Sequence, residues 1–294
     1  MIRELSGHEI DALHYELLVK DIVAAAEKLP PFPEIAWKIM SLVKTMAPIK
    51  EIEELISYDQ VITAKILQLA NSVYYGQRYD IRSLKEAILL LGNNRLMQVV
   101  IAACATLYYG SGSSRDEREL WEHSVTTALT SEIVACRIHY NGILTFYTAA
   151  LLHDIGNTIL NFYSKIYLQS SLREIRGESD GVRAERRAFG IDHQELGGII
   201  ARNWKFPADI ASAIEHHHNP EKAGRYEEIT SLVHLADLLA LSFAKKDDKQ
   251  GQKGIDLESE PIFKKFGITH IMIDEFQNEL ETGMAGVLRV LGAV

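Results

Sequence analysis

The 294-residue sequence predicts an all-α fold, a multi-helix bundle with an N-terminal helical subdomain. Three observations lead there. Apolar residues recur at helical spacing along most of the chain. Alternating runs joined by hairpin turns, the mark of paired strands, are almost absent. Capping residues stand where several of the helical stretches begin.

In chain order, Ile35, Ile39, Leu42, Val43 and Met46 form one apolar stripe. Pro30, Pro31 and Pro33 precede it, where proline can open a helix but not lie inside one. Asp59 is placed to cap a helix through Ile62, Ile66 and Leu69 that ends near Tyr75 and Gly76. Ser83-Leu84-Lys85-Glu86 reads as a capping box. That helix runs to Gly92, a C′ glycine, and another follows through Leu96, Val99, Val100 and Ala103. Gly110 to Ser114 is the clearest small-residue linker. Beyond it, helices are expected near 117–139, 145–163, 166–176, 181–189, 193–203, 207–217 and 229–244. The polar run Lys245–Gly251 breaks the pattern, and a last helical stretch covers about 272–290. The implied division is 1–110, 115–245 and a C-terminal extension, 255–294.

Composition narrows the function classes. The net charge is -9, from 31 Lys and Arg against 40 Asp and Glu, and nucleic-acid polymers call for a basic stripe. No apolar run reaches 18 residues, so no membrane span is expected. The charged, interrupted start of the chain does not read as a signal peptide. Cys104 and Cys136 are the only cysteines. Neither has metal-ligand spacing, and so few in a chain this long suggest a reducing, cytoplasmic setting.

Histidine carries more information. Eight of the 11 lie between His123 and His234. His153-Asp154 follows the apolar run Ala149–Leu152, which predicts burial. A buried carboxylate needs a charged partner or a metal; the plain alternative is a hydrogen-bonded His–Asp pair. Gly156 would let another backbone approach closely. Glu119 and His123 share a helix face at i, i+4, which a solvated pair would also explain. Asp237 lies within the apolar helix Leu232–Leu239 and needs a partner there. His216-His217-His218 ends a helix, and His193 stands at a helix start after Asp192. Imidazole and carboxylate without cysteine suit a site for two Fe or Mn ions, with Zn and Ni as alternatives, rather than a structural zinc knot. Ligands projecting inward from separate helices are how bundles hold metals.

The set His123, His153-Asp154 and Asp237 resembles that of the HD superfamily of metal-dependent phosphohydrolases. The first half resembles the HDOD domain, the HD-related output domain of bacterial signalling proteins. Four stretches carry that likeness: Leu29-Pro30-Pro31-Phe32-Pro33, Leu55-Ile56-Ser57-Tyr58-Asp59, Leu69-Ala70-Asn71-Ser72-Val73-Tyr74-Tyr75-Gly76 and Ala87–Gly92. The resemblance spans roughly residues 22–245. It implies an HD-type helical bundle, a cytoplasmic location and a place in signal transduction with a protein partner. Many HDOD members have lost the metal ligands; this chain keeps them.

The chain is also similar to the HD-GYP phosphodiesterases of cyclic di-GMP. That likeness implies metal ligation by His123, His153, Asp154, His193, His217, His218 and Asp237, with Glu119 as a further ligand or water contact. It departs in two places. Asn157 stands where a lysine is expected, and Asn219-Pro220-Glu221-Lys222 replaces the Gly-Tyr-Pro loop. Arg202 and Lys205 are the nearest candidates to replace that lysine's charge. Three readings follow: a regulatory or sensory module with a metal site, an enzyme acting on a nucleotide or other phosphodiester, and a metal-free interaction domain.

Overall fold

The computed structural model describes residues 7–72, 80–110, 114–169, 181–246, 260–283 and 285–292. Among these residues every regular element is a helix. The chain opens with α1 (Gly7–Glu27), α2 (Glu34–Lys44), α3 (Ile49–Ser57) and α4 (Gln60–Ala70). Asp59 caps α4 by accepting from the Ile62 N–H at 2.9 Å. Then comes α5 (Leu84–Ala105), whose Ser83 cap accepts from the Glu86 N–H at 3.2 Å. Gly92 adopts φ 69° and ψ 172° inside it, a region open essentially to glycine alone. The expected helix end at Gly92 is therefore a kink between two helical halves. By length and composition α5 could cross a membrane, although no run of that length stood out in the sequence; most of it is buried in the core.

The second half brings α6 (Arg115–Arg137), α7 (Ile143–Leu152) and α8 (Gly156–Tyr163), followed by a π-type turn, Ser164–Leu168. Next are α9 (Gly181–Phe189), α10 (His193–Asn203), α11 (Ala208–His216), a 3₁₀ segment (Pro220–Tyr226) and α12 (Glu227–Lys246). The C-terminal helices are α13 (Pro261–Lys265), α14 (His270–Asn278) and α15 (Ala285–Gly292). A π-type turn, Glu279–Gly283, interrupts the last expected helix.

The single helix expected over 145–163 is in fact two. His153, Asp154 and Ile155 form a tight turn between α7 and α8. It is held by i→i−3 bonds from the Ile155 N–H to Leu152 O (3.0 Å) and from the Asn157 N–H to Asp154 O (2.9 Å). The expected helix over 166–176 and the Val73–Gly76 part of the tyrosine-rich motif fall mostly outside the described residues. The described Asn71 clasps Ile81 through a reciprocal pair of bonds, at 2.7 and 2.8 Å.

The buried apolar residues form one cluster from Ile22 to Leu291. Contacts cross the 110–115 boundary drawn from the sequence. Helix α1 packs on α8 and α10, and α15 packs on α4 and α6. The Leu29–Pro33 motif docks on the second half, where Trp204 Nε1 donates to Pro30 O (2.9 Å), and is held within the first half by Tyr108 Oη, which donates to Pro31 O (2.8 Å). Phe32 is buried against the rings of Trp37, Trp204 and Phe206, a burial that stabilises by roughly 2–3 kcal/mol. Trp37 and the prolines thus join the halves.

Gly156 fixes how α8 meets α10. A Cβ there would lie 2.1 Å from the backbone oxygen of His193. Backbone cannot yield as a side-chain tip can, so Gly156→Ala should destabilise at or beyond the upper end of the roughly 1–3 kcal/mol usual for overpacking. Chemical denaturation checks this, and an unchanged midpoint would contradict the close approach.

Candidate metal centre

Four helices and one turn deliver the imidazoles and carboxylates. His123 lies midway along α6. His153 and Asp154 occupy the α7–α8 turn, which lets two neighbouring residues face one point although successive residues of a helix diverge by about 100°. His193 is the first residue of α10, whose cap, Asp192, accepts from the Glu195 N–H at 3.0 Å. His217 and His218 follow the C-terminal end of α11, and Asp237 faces inward from α12. The end of α7 is itself anchored, because buried Tyr109 donates to Leu151 O at 2.9 Å.

Asp154 stands at the centre. Its Oδ2 faces His153 Nε2 (3.6 Å) and His123 Nε2 (3.9 Å). Its Oδ1 faces His193 Nε2 (3.3 Å) and His217 Nε2 (3.9 Å). Each oxygen therefore addresses a different histidine pair. Asp237 Oδ1 closes the first group, 3.1 Å from His123 Nε2 and 3.7 Å from His153 Nε2. His218 packs beside the second, with ring centroids 4.2 Å from His217 and 5.2 Å from His193.

The far nitrogens of three rings are committed elsewhere. His153 Nδ1 faces Ala150 O at 2.7 Å, and His217 Nδ1 faces Ile214 O at 2.8 Å. Glu185 accepts from both the backbone N–H (2.9 Å) and Nδ1 (2.7 Å) of His193. Those acceptors place a proton on Nδ1, so each of these rings, when neutral, turns a bare Nε2 lone pair inward. The Nε2 atoms of His193 and His217 are 3.3 Å apart. Two lone pairs at that distance repel unless a proton or a metal cation lies between them. The donor set fits a cation of the kind imidazole and carboxylate bind.

The electrostatics agree. Burial works against ionising Asp154, but His153, His193, His123 and His217 together hold it well below the usual carboxylate range. Asp237 is likewise held low, against burial, by His123 and His153. Burial opposes charging His153, yet Asp154 and Asp237 prevail and raise it to about 9. Burial and the neighbouring rings push His217 well down and His218 down to about 4.

Of the residues singled out in the sequence, His123, His153, Asp154, His193, His217, His218 and Asp237 come together. Glu119 does not join them: it is exposed and paired with Arg115 one turn earlier, at 2.5 Å. His216 stays outside the clusters among the described residues. Asn157 is buried. Arg202 is taken up by an ion pair with Glu215, and Lys205 is exposed, so neither is arranged as the charge expected to replace the missing lysine. The sequence reading missed Glu185 and His234. His234 groups with His218 and Asp237 and was visible as the i, i+3 neighbour of Asp237. Nothing in the sequence near Glu185 marks it out.

A sequence profile of the HDOD domain matches residues 29–220. The chain belongs to the HDOD family. An HDOD domain protein of unknown function from Geobacter sulfurreducens shares the fold, with a TM-score of 0.74 and 24% identity over 96% of this chain and 98% of that one. A proposed phosphohydrolase from Shewanella amazonensis SB2B has a TM-score of 0.68 and 21% identity, over 92% and 96% of the two chains. An uncharacterised Treponema pallidum protein is 23% identical over 232 residues, 72% of this chain and 43% of that one. This HDOD chain spans less than half the length of the curated relatives it matches.

Two outcomes follow for this HDOD site. Glu185→Ala removes the acceptor that orients His193, and a lost outer partner lowers metal affinity about 10–100-fold; competition against a chromogenic chelator measures it. His153, raised to about 9 without metal, carries a proton at neutral pH, whereas a metal takes only the neutral ring. Loading at pH 7 should therefore release protons, and affinity should fall as pH drops. Calorimetry in buffers of different ionisation enthalpy reads the release, and buffer-independent heats would contradict it.

Proposed function

We propose that this HDOD protein is a bacterial signal-transduction module whose regulatory or sensory element is a pair of metal ions of the Fe or Mn class. The observation that carries the reading is the Asp154 carboxylate, with one oxygen turned to His123 and His153 and the other to His193 and His217. The first ion would be held by His123, His153, Asp154 and Asp237, and the second by Asp154 with His193, His217 and His218. Family membership supports the signalling role, exercised through a protein partner in the cytoplasm.

A second reading, hydrolysis of a nucleotide or other phosphodiester, is favoured by one feature. His123 and Asp154 keep 19% and 14% of their side-chain surface exposed, whereas His153, His193, His217 and Asp237 keep between 0% and 4%. The site thus has a wet edge at His123 and Asp154. Two bound ions would activate water and neutralise charge on a phosphoryl group. The similar Shewanella protein is described as a proposed phosphohydrolase. Against turnover stand Asn157 at the lysine position and the missing Gly-Tyr-Pro loop.

Metal analysis of untagged protein tests the first reading. About two Fe or Mn per chain are expected, with Asp154→Ala losing both because that carboxylate serves each position. Full metal content in Asp154→Ala would refute the assignment. A generic phosphodiester, bis(p-nitrophenyl) phosphate, then separates the readings: metal-dependent turnover abolished in Asp154→Ala establishes the enzyme, and no turnover by the loaded protein leaves the regulatory site.

A further inference from the structure

His234 has no part in the two positions above, yet it is turned toward their edge. It lies on α12 one turn before Asp237, so the two side chains share a helix face. His218 comes to them from the end of α11, its ring centroid 6.2 Å from that of His234. One donor atom from each of His218, His234 and Asp237 lies within 4.8 Å of the others. His234 Nδ1 is buried and has no hydrogen-bond partner among the described residues. A buried imidazole nitrogen left in that state is costly, and such groups are nearly always satisfied.

We propose that His218, His234 and Asp237 form a third position, for a divalent first-row transition ion. The inference rests on the two-ion reading and extends it. Asp237 uses Oδ1 toward both His123 and His153, which leaves its other oxygen for the third position, much as Asp154 divides its two oxygens. A neutral imidazole has one ring nitrogen with a free lone pair, so His218 serves either the second position or the third. Filling the third draws His218 to it and leaves the second with Asp154, His193 and His217. Two histidines and one carboxylate is a ligand set that leaves several positions open on an octahedral ion. Occupancy of the third position would thus set how many positions of the second stay open.

The test uses the full chain, stripped with chelator and dialysed to equilibrium against Mn²⁺, with metal counted by plasma mass spectrometry. The wild type should hold about three ions and His234→Ala about two. His234→Gln keeps the bulk of the ring and should match the alanine variant, and circular dichroism checks that both fold. In crystals soaked with Mn²⁺, anomalous scattering should show a peak among His218, His234 and Asp237 that vanishes in either variant. Two ions in the wild type and in both variants would overturn the third position and leave the pair intact. No ion in the wild type would overturn both.

Discussion

The Asp154 carboxylate, which keeps only 14% of its side-chain surface exposed, is the constraint around which this structure is arranged. An ionised carboxylate in a core is tolerated only when its charge is met on each side. Here His123, His153, His193 and His217 meet it, and they come from places far apart in the chain. The chain must therefore bring the middle of α6, the α7–α8 turn, the start of α10 and the end of α11 to one point within a few ångströms. None of these segments can shift without exposing a charge or a lone pair to the wrong neighbour. Much of the second half of the fold can be understood as a way of holding that point.

The local structure follows from it. A continuous helix over 145–163 would have sent His153 and Asp154 in divergent directions. The i→i−3 turn at Ile155 and Asn157 brings both side chains to the same centre. Gly156 then starts α8 beneath the backbone of His193, with no space for even a methyl group. The carboxylate of Glu185 locks His193 from behind at 2.7 Å. The proline motif and Phe32 press the N-terminal helices against Trp204, the residue that ends the His193 helix. The features that define the two halves in the sequence are thus parts of one scaffold.

Much of this was legible in the sequence because each signal was local. Asp59, Ser83 and Asp192 mark helix starts by side chains that reach only three residues ahead. The proline at 207 and the histidines at 217 and 218 bracket α11. What escaped reading depended on distance in space. The α7–α8 break carries no proline to mark it. Glu185 lies eight residues from the ring that it orients, on a different helix. Glu119 had the right spacing to His123, but its side chain pairs with Arg115 at the surface instead. His234 was readable from its spacing to Asp237, yet its meaning needed His218 from another helix. Helical periodicity shows which face of an element is buried, not which faces meet.

The placement of positive charge bears on binding against turnover. Phosphoryl transfer needs cations arranged around the equatorial oxygens. In this chain Asn157 is neutral and buried, Arg202 is neutralised by Glu215, and Lys205 lies in solvent. A phosphodiester at the wet edge beside His123 and Asp154 would therefore draw no counter-charge from these three side chains and would lean on the ions themselves. Such a site responds steeply to metal occupancy, since every ion lost removes both a binding contact and the charge that draws an anion in. That dependence suits a sensor whose output follows metal loading, and it is the physical reason for ranking regulation above hydrolysis.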